Sequence, residues 1–91
     1  MLKITTHAVG PQTILELEGS LTGPWVSELK KCWQRAVGGG EQVTVVLKQV
    51  SYVDKAGRVI LANMYRQGTE LTADGCMIRA IIEEIKGGER R

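Results

Sequence analysis

The chain has 91 residues, enough for one domain and no second. A make-up of 43% hydrophobic and 24% charged residues is that of a chain with a packed core, which excludes disorder as a description of the whole. A formal net charge of +2, carried by scattered basic residues, excludes the basic stripe of a nucleic-acid binder.

Leu2, Ile4 and Thr6 alternate with Lys3, Thr5 and His7, a strand pattern. Val9-Gly10-Pro11-Gln12 is turn chemistry, and Thr13–Glu18 resumes as a strand, so the two form a hairpin. Gly19 to Pro24 is read as a break. Pro24 suits the first turn of a helix that Thr22 or Gly23 can cap. Val26, Leu29, Trp33 and Val37 share one face of that helix, with Trp25, Cys32 and Ala36 beside it, and Gly38-Gly39-Gly40 stops it.

Val43–Leu47 is apolar and β-branched and reads as a strand buried on both faces, carried onward by Val50, Tyr52 and Val53. Gly57–Gln67 reads as a helix with Asp54 as N-cap, Gly68 after its end, and Ile60, Leu61 and Met64 as its apolar stripe. Thr69–Ala73 is a fourth strand. A last helix runs from Asp74-Gly75 to about Lys86, with Ile78, Ile81, Ile82 and Ile85 inward and Gly87 at its end. The fold class predicted is α/β: one small domain at residues 1–87, with a mixed sheet of about four strands in the order β-β-α-β-α-β-α. The third and fourth strands are parallel with a right-handed crossover. Residues 88–91 are expected to be a flexible tail.

No set of residues converges on catalysis. Gly38-Gly39-Gly40 is followed by Glu41 and Gln42 where a phosphate loop needs Lys and Ser or Thr, and it lies between helix and strand in the wrong order. His7, the single histidine, sits in the polar register of an edge strand and reads as solvent-facing. Glu16 and Glu18 share a strand face, but nothing joins them for acid–base work. Cys32 and Cys76 form no CxxC or Cys/His metal pattern, so no metal and no cofactor is expected. Reduced thiols are expected, with a single disulfide left open. Trp25 and Trp33 lie eight apart on one helix, as core residues, or with Trp25 exposed at the helix start as an anchor for a partner. The N-terminus has no apolar run of signal-peptide length, and no stretch approaches the ~20 apolar residues of a membrane span. The expected location is the cytoplasm, with no membrane insertion.

One stretch is more specific. Val50-Ser51-Tyr52-Val53-Asp54-Lys55-Ala56-Gly57 resembles the signature of STAS domains, the family of anti-sigma factor antagonists and sulfate-transporter tails. Leu15-Glu16-Leu17-Glu18-Gly19-Ser20-Leu21 resembles the family's second strand, and the Gly68 break before the fourth strand also fits. The resemblance implies a protein-binding module. In the antagonist branch a kinase-like anti-sigma factor phosphorylates the Ser or Thr just before that glycine, placing nearly two negative charges in a docking loop. This sequence departs there. Ala56 stands in place of the hydroxyl residue, Lys55 in place of a small residue, and Arg58 in place of an aliphatic one. Thr22 and Val46 stand where many relatives carry Asp. Alanine has no oxygen to accept a phosphoryl group, so the usual switch is absent.

The expected function is therefore a non-enzymatic interaction module of the STAS type that signals without phosphorylation at the loop. Its partner-binding residues are expected to be Asp54, Lys55, Ala56, Gly57, Arg58 and Trp25, against an anti-sigma factor, a kinase-like protein or another STAS-binding protein. The alternative is an accessory or sensing subunit, for example of a transporter, that holds a small anion or nucleotide at the helix N-terminus after Asp54. Lys55 and Arg58 flank that positive helix end and leave the local balance positive, or they are simply two solvated side chains. A weak homodimer through the last helix or the edge of the hairpin is also expected.

Overall fold

The computed structural model of the protein describes residues 2–40 and 42–88. The strands are β1 (Leu2–Val9), β2 (Gln12–Leu21), β3 (Gln42–Val53) and β4 (Glu70–Ala73), and the helices α1 (Pro24–Gly38), α2 (Lys55–Arg66) and α3 (Cys76–Gly88). The order is the predicted one, and α3 runs one residue past the predicted domain end. The rest of the expected tail lies outside the described residues.

The sheet order is β1-β2-β3-β4. The hairpin pairs antiparallel, Leu2 opposite Gly19 and Val9 opposite Gln12. β2–β3 and β3–β4 pair parallel, so the sheet is mixed as expected. Gly10 turns the hairpin at φ 60°, a conformation a side chain resists.

All three helices feed one core. Leu15, Leu17, Val45, Leu47 and Leu71 from the strands meet Leu29 and Trp33 of α1, Ile60, Leu61 and Met64 of α2, and Ile78 and Ile82 of α3. Among the described residues no helix lies over the opposite face of the sheet. Thr44 and Val46 alternate with buried Val43, Val45 and Leu47 and stay half-exposed, so β3 is buried on one face only. The apolar β-branched run that suggested two buried faces reflects strand propensity at a half-covered position.

β2 does not end at Gly19. It continues to Leu21, with register irregularities against β3 between Leu17 and Glu18 and between Gly19 and Ser20. Gly19, at φ 110°, absorbs the irregularity. The same shift leaves both Lys48 and Gln49 exposed between buried Leu47 and Val50. Val37, expected on the inner face of α1, is 40% exposed in its last turn.

Candidate functional site

The loop between β3 and α2 is built around Asp54. Its Oδ1 accepts the Gly57 amide at 2.7 Å, a helix cap three residues on. Its Oδ2 accepts the Gly23 amide at 3.1 Å. That second oxygen thus reaches a segment 31 residues away. Gly23 is the N-cap of α1, which has no side-chain cap of its own. One carboxylate therefore ties the starts of α1 and α2 together. The Asp54 amide donates to the Leu21 carbonyl at 3.1 Å, closing the third side. The Gly57 amide, and then that of Gly23, hold the Asp54 carboxyl below its ordinary value, because both hydrogen bonds favour the charged form.

Gly57 is buried, and a Cβ there would lie 2.8 Å from Val53 Cγ1 and 2.9 Å from the Leu21 carbonyl oxygen. Only glycine lets α2 approach the end of β2 this closely. Asp54 and Gly57 thus build the loop, while Lys55, Ala56 and Arg58 are exposed on it.

Those three do not act together. Arg58 Nη1 lies 3.5 Å from Glu84 Oε2 of α3, so its charge is met within the chain. The expectation that Lys55 and Arg58 together leave the helix end positive, or are both simply solvated, changes at Arg58: α3 brings Glu84 to it, a pairing that local sequence does not carry. Lys55 forms no ion pair among the described residues. Helical spacing puts Lys55 and Val59 on one solvent stripe, with Ala56 beside them. Val59 is 55% exposed, and Tyr52, on the strand that enters the loop, is 58% exposed. Neither Tyr52 nor Val59 figured in the expected site. The signal for Val59 was available, because it falls outside the stripe of Ile60, Leu61 and Met64.

Trp25 is elsewhere. It is half-buried and lines an open groove between α1 and β1 with Leu2, Ile4, Pro24, Glu28 and Cys32. The last helix turns Ile78 and Ile82 into the core, with Ile81 and Ile85 packed against it, so its apolar face is largely used. β1 is left as an edge strand of the sheet. His7 is exposed there, its Nε2 3.4 Å from Glu16 Oε1. Among the described residues no group of His, Cys, Asp or Glu could hold a metal ion, Cys32 and Cys76 are free thiols, and no helix is long and apolar enough to cross a membrane.

No protein-family model and no curated protein matches the sequence. Solved structures do. An uncharacterized protein with a SpoIIAA-like fold from Shewanella loihica PV-4 superposes with a TM-score of 0.62 over 96% of this chain and 78% of its own, at 7% identity. The fold is SpoIIAA-like. That is the fold of anti-sigma antagonists and STAS domains, as the β3–α2 motif implied. Two structures of Mglu, one in its native form, match 78% of this chain at 19% identity, with TM-scores of 0.64 and 0.58. This chain spans only 19% and 22% of the length of those two chains. At such identities the likeness is one of fold.

Proposed function

We propose that this SpoIIAA-like domain is a protein-interaction module that docks its partner where β3 passes into α2, on the exposed residues Tyr52 of the strand and Lys55, Ala56 and Val59 of the helix. The observation that carries the reading is the division of labour in the loop. Asp54 and Gly57 are consumed in holding it rigid, while Tyr52, Lys55, Ala56 and Val59 face solvent and Lys55 forms no ion pair among the described residues. Rigid backbone with exposed aromatic and aliphatic groups is what a docking surface needs, since little ordering entropy is lost on binding. Lys55 adds a charge that favours an acidic rim on the partner. With Ala56 at the usual phosphoacceptor position, the module stays competent without a kinase or phosphatase.

The same loop argues against the anion-sensing alternative. The Asp54 carboxylate already takes the Gly57 amide of α2 and the Gly23 amide at the start of α1, and a second anion would face its charge.

Site-directed photo-cross-linking in the native host tests the proposal. A photo-reactive residue at Val59 should give a discrete adduct with one protein, and one at His7, on the uncovered sheet face, should not. No adduct at 59, or equal labelling at both positions, contradicts it.

A further inference from the structure

We infer that the groove between β1 and α1 is a binding site for an amphipathic carboxylic acid, its chain lying toward Trp25 and its headgroup on Arg35. Two cavities meet in this groove. One, of about 530 Å³, is lined by Leu2, Ile4, Pro24, Trp25, Glu28 and Cys32. The next, of about 390 Å³, is lined by Thr6, Ala8, Thr13, Cys32, Arg35 and Ala36. Cys32 lines both, so they form one trough along the seam. It follows α1 from Pro24 to Ala36, about 18 Å at the helical rise of 1.5 Å per residue. Together the cavities fall in the size range of small-ligand sites, which are apolar with a few polar groups that fix orientation.

The trough exists because β1 extends the sheet beyond the reach of the helices. Leu2 is buried against the core, but Ile4 and Trp25 only pack against it from the side and remain half-exposed. The two ends differ in chemistry. The Trp25 end offers an indole, aliphatic side chains and a proline ring. Its single charged group, Glu28, already lies 3.9 Å from Lys31 Nζ on the helix surface. The other end is lined by Thr6 and Thr13 and carries the guanidinium of Arg35, which forms no ion pair among the described residues. An apolar chain with a terminal carboxylate matches that polarity: the chain covers Ile4 and Trp25, and the acid takes the fork of donors on Arg35. A cationic amphiphile would meet like charge there. This site is distinct from the α2 surface, so its failure and the failure of the docking reading are separate results.

Dodecanoate, kept below its micelle concentration, is the probe. The protein carries Cys76→Ser, so that Cys32 alone reports by its rate of alkylation with a maleimide. Dodecanoate should slow alkylation at least tenfold and change the indole fluorescence saturably. Arg35→Gln, an exposed helix position where the fold is kept, should weaken both effects by roughly tenfold, the scale of one charge-assisted contact. Hexanoate should protect far less. The inference is overturned if dodecanoate gives no saturable protection, or if Arg35→Gln leaves the affinity unchanged. It is also overturned if dodecyltrimethylammonium protects equally well. Cys32 protection without ligand, lost on dilution, would show a second copy of the chain closed over the groove and would overturn it too.

Discussion

Asp54 shows how much one side chain does in this fold. Its carboxylate spans two helix starts, and both bonds need it charged. Its pKa is lowered in the folded state, so its contribution to stability is complete above the unfolded value of 3.8 and is lost as pH falls through the folded value. Acid unfolding followed by circular dichroism should therefore show less pH dependence below about pH 4 in Asp54→Asn than in the wild type. Asparagine keeps one acceptor for Gly57 but not a second for Gly23, so Asp54→Asn should melt below the wild type and Asp54→Ala lower still. Gly57 carries the neighbouring constraint. Gly57→Ala pushes a methyl against Val53 and the Leu21 carbonyl and should lose about 1–3 kcal/mol by chemical denaturation, the scale of overpacking. The cap was legible because it depends on local backbone, and the glycine through the motif alone, since the Leu21 carbonyl that requires it lies far away in sequence. The Gly23 bond was not, because its partner is 31 positions away.

The helices find their places through apolar stripes, and one polar contact locks their arrangement. Trp33 of α1 donates its indole N–H to Thr69 Oγ1 at 2.8 Å inside the core, just ahead of β4. Thr69 is 5% exposed, so its hydroxyl has no water to turn to if the indole is removed. Trp33→Phe should cost about 1–3 kcal/mol beyond its packing loss for that reason. Adding Thr69→Val should recover part of it, and a double-mutant cycle should return a coupling of about 0.5–1.5 kcal/mol. Sequence periodicity placed Trp33 in the core correctly but gave no hint of its partner. It ended β2 too early, at Gly19, where the register irregularity interrupts alternation, and it carried β3 correctly through Val53 but read both of its faces as buried.

At the scale of the whole molecule, one asymmetry organises the surface. Three helices on one face of a four-stranded sheet leave the other face bare and leave β1 overhanging α1. The element order was readable from strand and helix periods. Which face is covered, and how far the helices reach, depends on long-range packing that no short window contains. Hence Trp25 was grouped with the α2 loop, although its ring lines a groove with Leu2 and Ile4. The loop is tied by both oxygens of Asp54 while Tyr52, Lys55, Ala56 and Val59 face solvent, and the docking proposal rests on that contrast. The measurement that tests it most directly is a paired affinity capture from the native host, followed by quantitative mass spectrometry. The baits are the wild type, the double variant Lys55→Glu, Val59→Glu, and a control altered on the bare sheet face, His7→Gln. These are exposed positions where surface substitutions leave the fold intact. The account predicts a protein enriched by the wild type and the His7 control and lost, by at least roughly tenfold, from the double variant. A partner retained equally by all three baits would contradict it.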